Sequence, residues 1–204
     1  MTELEIMRVM EKILNYDNSY PIILVNDFNF FYQKGIESCD LEMYDVALSN
    51  YDKAIELTSN QNDLSDVWTE KGLVMEKIKD YDMAIICQDK AIGYNPNNED
   101  AWYMKGVAIG KKCKSRDDPL RNDAIECYEK ALSLKPNDTQ VLDNLGLELR
   151  CLKDYDGALK CFDKSISIDP NQHVPWAAKS EVFKELGRDE EAEQCLAKAK
   201  ALGY

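Results

Sequence analysis

The sequence predicts an all-α solenoid built from five helix-turn-helix units. Three observations carry that prediction: a pattern of large and small residues that recurs every 34 positions, alanines at matching places in the second half of each period, and a Pro-Asn pair closing three of the five. In the first half of each period a large apolar residue precedes a small one by four positions: Phe31 and Gly35, Trp68 and Gly72, Trp102 and Gly106, Leu142 and Gly146, Trp176 and Ser180. The spacings from one small residue to the next are 37, 34, 40 and 34, so the unit is 34 residues with two insertions.

The second half opens on alanine at Ala47, Ala84, Ala124, Ala158 and Ala192, the third delayed by six residues. Four positions on come Tyr51, Gln88, Tyr128, Phe162 and Leu196, and three further Ala54, Ala91, Ala131, Ser165 and Ala199. Two antiparallel helices that cross closely need small residues where their backbones approach and a large one to fill the space beside them. Asp80-Tyr81-Asp82 and Asp154-Tyr155-Asp156 mark the turn between the two helices, while Pro96-Asn97, Pro136-Asn137 and Pro170-Asn171 end one unit and begin the next. A single unit cannot bury its apolar face, but stacked neighbours can.

The period, the W-x3-G pair, the A-x3-F/Y-x2-A run and the closing proline resemble the tetratricopeptide repeat family over about residues 28–204, with units at about 28–61, 65–98, 99–138, 139–172 and 173–204. Gln88 replaces the usual aromatic, Ser180 replaces glycine, and the first unit lacks both tryptophan and the closing proline. The resemblance implies a right-handed α-α superhelix that needs no cofactor and whose concave groove, lined by the first helix of each unit, binds a peptide or a partner domain. Carried over residue by residue, the groove candidates are Tyr32, Gln33 and Ile36, then Thr69, Glu70 and Leu73. The third and fourth units add Tyr103, Met104 and Val107, and Asp143, Asn144 and Leu147. Aromatic and apolar anchors alternate there with acids and amides, which suits a neutral to basic partner. One subclass of the family grips the acidic tails of heat-shock chaperones with a clamp of lysines, asparagines and arginine. Tyr32, Ile36, Glu70, Asp100 and Met104 hold the corresponding places, none of them cationic, so a chaperone-tail binder is not expected.

Composition narrows the function classes. With 45% hydrophobic and 31% charged residues the chain can bury a core. Its net charge of -13 repels phosphate backbones and anionic lipid, so neither nucleic acid nor a membrane is an expected partner. The segment MTELEIMRVM carries acids where a secretory signal needs positive charge, and no apolar run reaches the length of a membrane span, which predicts a cytoplasmic protein. Seven cysteines agree with a reducing compartment, and an odd count cannot pair fully within one molecule. Cys87, Cys127, Cys161 and Cys195 all follow the second-helix alanine by three positions, a ladder read as packing; Cys39, Cys113 and Cys151 show no such order. His173, the single histidine, opens the fifth unit and reads as a helix start. There is no phosphate loop, no GxSxG elbow and no histidine-containing zinc spacing, so neither catalysis nor a metal site is expected.

Three segments depart from the repeat. Residues 1–27 place Leu4, Met7, Met10 and Ile13 or Leu14 at helical spacing, then Ser19-Tyr20-Pro21 and an apolar run Ile22–Val25, which reads as a capping segment. A dimerisation element, making the protein a self-associating module, and a segment lying in its own groove are the alternatives. In the fifth unit Glu193 and Lys200 replace the apolar residues Leu48, Ile85, Ile125, Leu159 and Ile55, Ile92, Leu132, Ile166, which predicts that no sixth unit packs there. The third unit's insertion gathers Lys111, Lys112, Lys114, Arg116 and Arg121 in an otherwise acidic chain, read as a solvated loop or a secondary contact for an acidic partner.

Overall fold

Short polar side chains start most of the helices. In the computed structural model, which describes residues 27–204, the ten helices form five antiparallel pairs: α1 (Phe28–Asp40) with α2 (Tyr44–Glu56), α3 (Gln61–Lys77) with α4 (Tyr81–Tyr94), α5 (Glu99–Lys112) with α6 (Leu120–Leu134), α7 (Thr139–Cys151) with α8 (Tyr155–Ile168), and α9 (His173–Glu185) with α10 (Asp189–Ala201). Side-chain oxygens of Asp27, Asn60, Asp80, Asn98, Asp138 and Asp154 accept from first-turn amides of α1, α3, α4, α5, α7 and α8. The capping segment expected over residues 1–27 lies outside the described residues apart from Asp27.

Within four of the pairs the turn is closed by one residue in the left-handed region: Glu42, Lys79, Lys153 and Gly187, with φ of 58°, 66°, 65° and 70°. At the second turn Lys79 N–H donates to the Glu76 carbonyl and Asp80 N–H to that of Met75, satisfying carbonyls the helix end leaves free. The third pair has no such turn, because the insertion runs from Cys113 to Pro119 between α5 and α6.

Each pair closes on the small residue of its first helix. A Cβ on Gly106 would stand 2.7 Å from Cε1 of Tyr128, and one on Gly146 would stand 2.6 Å from Cε1 of Phe162; Tyr51 lies on Gly35 in the same way. Gln88 occupies the aromatic's place against Gly72, fully buried, and its Nε2 donates to the Thr69 carbonyl at 3.1 Å. Ser180, where glycine is usual, donates through Oγ to the Ala192 carbonyl at 2.8 Å, so its hydroxyl is satisfied inside the pair. The alanines that follow are all but inaccessible.

Between pairs, the first helix of each unit touches the first helix of the next, whereas successive second helices do not meet. The first helices therefore line the inner side of the stack and the second helices its outer side. Lys71, Lys105 and Lys179 bind the stack together through ion pairs with Asp52, Asp89 and Asp163 on the second helix of the preceding unit. At the third junction Leu145 stands where the lysine would be, and Arg121 pairs with Glu148 at 2.5 Å instead. Glu193 and Lys200 are exposed.

The insertion is not a free basic loop. Lys111 and Lys112 sit in the last turn of α5 and pair with Glu76 and Asp82 of the preceding unit. Arg116 reaches Glu185 of the fifth unit at 2.8 Å, and Lys114 donates its backbone amide to Asp118. The side chains of Lys111, Lys112 and Arg116 thus answer acids of the same chain.

Two substitutions test the pair geometry in opposite directions. Gly106→Ala drives a methyl into the Tyr128 ring and should cost about 1–3 kcal/mol, a Tm loss of about 2–4 °C per kcal/mol for a chain of this size. Lys153→Gly removes a side chain from a left-handed position and should raise Tm by about 1–2 °C. Thermal denaturation followed by circular dichroism checks both.

Candidate partner-binding face

Three successive first helices build one cleft on the inner side. On α3, Asp66, Thr69 and Glu70 share a helical face by their i, i+3, i+4 spacing. Tyr32 of α1 joins them from one side, and Asn98 and Asp100 at the start of α5 from the other, enclosing about 240 Å³. Part of the wall is fixed. Thr69 Oγ1 donates to the Ser65 carbonyl at 3.0 Å, while Asn98 Nδ2 donates to Ser65 Oγ at 2.8 Å and to Thr69 Oγ1 at 3.1 Å. Asn98 therefore joins the second unit to the third while its Oδ1 caps α5.

The cleft's electrostatics are one-sided. Burial raises the Glu70 carboxyl above its ordinary range, and Asp100, Asp40 and Asp66 raise it further. Burial likewise lifts Asp66, with Asp63 and Asp100 adding to the effect. The Tyr32 hydroxyl is raised by burial and then by Glu70, Asp66 and Asp100. Among the described residues no lysine or arginine pairs with Asp66, Glu70 or Asp100. A cation entering the cleft would lower the energy of all three carboxylates.

The other candidates are placed differently. Gln33 is exposed, and Leu73 and Met104 are half-buried. Ile36, Val107 and Leu147 are half-buried against the cores of the first, third and fourth units. Asn144 Nδ2 donates to the Tyr103 hydroxyl at 3.1 Å, tying the fourth unit to the third, and Tyr103 leans on Tyr128 with ring centres 6.1 Å apart. Asp143 is turned inward, 6% exposed, where burial pushes its carboxyl up to about 6 and the Ser165 hydroxyl beside it pulls weakly the other way. Of the twelve candidates, the cleft gathers Tyr32, Thr69 and Glu70. Its remaining members, Asp66 and Asn98, are not among the residues the repeat pattern singles out, and Asp100 enters only through the clamp comparison. The acids stand two residues before Trp68 and Trp102, one helical turn from the candidates, and a helical projection of that position would have found them.

The cysteine ladder packs. Cys87, Cys127 and Cys195 are buried, Cys161 half-buried, and burial pushes the Cys127 and Cys161 thiols up to about 11. Thiols held protonated at neutral pH are poor nucleophiles.

Sequence models described as the tetratricopeptide repeat match residues 65–98, 121–138 and 139–172, which hold the second and fourth helix pairs and the second helix of the third. The chain is a tetratricopeptide repeat protein. The first and fifth repeats lie outside those matches and show the same helix-turn-helix geometry. Among solved structures, YrrB, described as a tetratricopeptide repeat protein with an unusual peptide-binding site, superposes with a TM-score of 0.68 at 21% identity, covering 97% of this chain and 91% of that one. MamA residues 41 to the end from Desulfovibrio magneticus RS-1 gives a TM-score of 0.74 at 16% identity, covering 86% and 94%. Another MamA crystal structure gives 0.71 at 19%, covering 86% and 91%. At such identities these likenesses speak to the fold. No curated protein sequence matches the chain.

The buried acid of the fourth repeat supplies a pH test. A carboxyl whose pKa is raised on folding holds its proton more tightly in the folded state. It therefore contributes stability below the ordinary carboxylate range, and that stability is lost as pH rises through about 6. Asp143→Asn should melt about 3–6 °C above the parent at neutral pH, and the gap should close as the pH falls to about 4. Parallel melting curves across that range check it.

Proposed function

We propose that this protein is a non-enzymatic interaction scaffold whose first-helix face binds a peptide or partner domain through a basic side chain. The repeat fold supports the scaffold reading, and YrrB, a protein of the same fold, is described as having a peptide-binding site. The single observation carrying the basic preference is the cleft of Tyr32, Asp66, Glu70 and Asp100, whose carboxylates meet no cation among the described residues. A lysine or arginine of the partner would sit between the three acids, with the Tyr32 ring as an apolar wall, while Leu73, Tyr103 and Val107 contact its flanking residues. The net charge of -13 disfavours nucleic acid and anionic membrane as partners, and no helix among the described residues is long and apolar enough to cross a membrane. Free cysteines in every repeat fit a reducing compartment, the cytoplasm being our assignment.

Selection from a random peptide display library on the full chain tests the reading. Selected peptides should be rich in lysine or arginine, and binding should weaken as salt rises from about 50 to 500 mM. Glu70→Lys or Asp100→Lys should weaken the selected peptides by about ten-fold or more. Peptides without basic residues, or affinities untouched by these reversals and by Tyr103→Ala, would remove the assignment.

A further inference from the structure

The turns of the first two repeats expose an apolar edge whose places on the second helix turn polar in the later ones. Leu41, Met43 and Val46 on the first, and Ile78, Met83 and Ile86 on the second, are each between 40% and 71% exposed. Met43, Val46 and Ile78 line one hollow of about 410 Å³, so the edge passes from one repeat to the next. Met83 and Ile86 continue it along α4, one helical turn apart. At the place of Val46 and Met83 the later repeats carry Asp123, Gly157 and Glu191, and at the place of Ile86 they carry Glu126, Lys160 and Gln194.

Met43 breaks a local rule to stand there. It occupies the place of Asp80 and Asp154, whose carboxylates accept from the Met83 and Gly157 amides and so start α4 and α8. The second helix of the first repeat, α2, begins on Met43 with no side-chain cap. A missing cap weakens a helix start, and an exposed methionine adds no packing that offsets it. Such a break, with no gain inside the fold, marks a surface kept for contact, and methionine's unbranched, polarizable side chain adapts to an apolar partner. The charges beside the edge are ordered as well. Asp40, Glu42 and Asp45 are exposed on the first turn, Lys77 and Lys79 on the second. Among the described residues no ion pair holds any of these five, whereas Asp80 caps α4 and Asp82 pairs with Lys112.

We propose that this edge is the interface of a two-fold dimer, in which the first turn of one copy lies on the second turn of the other. A basic partner would match only the acids of the first turn. A second copy related by a two-fold axis brings its lysines to those acids and its own acids to Lys77 and Lys79, so one operation matches both ends. The apolar side chains then meet across the centre, where they leave water together. Glu42 and Lys79 hold matching places, with φ of 58° and 66°, so the two turns that face each other have the same backbone form. The net charge of -13 on each copy opposes association at low salt. At physiological ionic strength, screening over about 8 Å removes most of that long-range repulsion and leaves the close pairs.

Sedimentation velocity on the full chain at physiological salt decides it. The parent should pass from monomer to dimer as its concentration rises. Met43→Asp should weaken the dimer about ten-fold or more, while its monomer melts no lower than the parent's, because the aspartate restores a cap. Glu42→Lys and Lys79→Glu should each weaken self-association about ten-fold, and an equimolar mixture of the two should dimerise like the parent, since the mixed pair restores both contacts. Leu186→Glu, at the place of Leu41 and Ile78 in the fifth repeat, and Glu70→Lys in the inner cleft should leave the dimer unchanged. A monomer up to about 1 mM, a dimer untouched by Met43→Asp, or a mixture no better than its components would overturn the proposal. A chain that stays monomeric but loses a selected basic peptide on Met43→Asp would give the edge to a basic partner instead.

Discussion

Everything else in the molecule follows from the contact between the small residue on each first helix and the large side chain that the second helix lays on it. Gly35, Gly106 and Gly146 admit the rings of Tyr51, Tyr128 and Phe162, and Gly72 admits Gln88. That approach sets the angle of every pair, and the fixed angle lets the same pair be stacked five times. The stack then has an inner side of first helices in mutual contact and an outer side of separated second helices. An inner face with side chains from three repeats in one cleft is a product of stacking, since no single pair carries Tyr32, Glu70 and Asp100 together.

The junctions use a second, weaker device. A lysine-aspartate pair at a surface contributes about 0–1 kcal/mol, too little to set a fold. Lys71 is 11% exposed along its side chain and rests on Trp68, so part of that contact is shielded from water and held in one geometry. In a stack, interface contributions add from one neighbour to the next, and a contact repeated at three of four junctions shapes the whole array. The third junction replaces it with Leu145 in an apolar cluster and the Arg121–Glu148 pair. That is also the junction beside the insertion, whose Arg116 passes over the fourth repeat to reach Glu185 in the fifth.

The fold was legible in the sequence because its governing contacts are short-range and periodic. Small residues at fixed places, the polar caps Asp80 and Asp154, and prolines at unit ends are local signals that recur. Gln88 and Ser180 depart from the pattern, yet each fits by donating a hydrogen bond to a neighbouring carbonyl. The site was less legible because inner-face positions differ in ways the period does not encode. Thr69 and Asp143 share a place in the repeat with Tyr32 and Tyr103, but their short side chains sink toward the helix pair while the tyrosines reach outward. The insertion's cations resist a sequence reading for the opposite reason: the acids that pair with Lys111, Lys112, Arg116 and Arg121 stand 27 to 69 residues away, beyond any local pattern.

What the inner face does is decided most directly by mapping a bound basic peptide on the full chain by NMR. The account predicts that backbone and side-chain shifts on titration concentrate at Tyr32, Asp66, Glu70, Asn98 and Asp100, with the Tyr32 ring broadened or shifted first. Shifts concentrated instead along the second helices, around Lys90, Lys130 and Lys164 on the outer side, would contradict it.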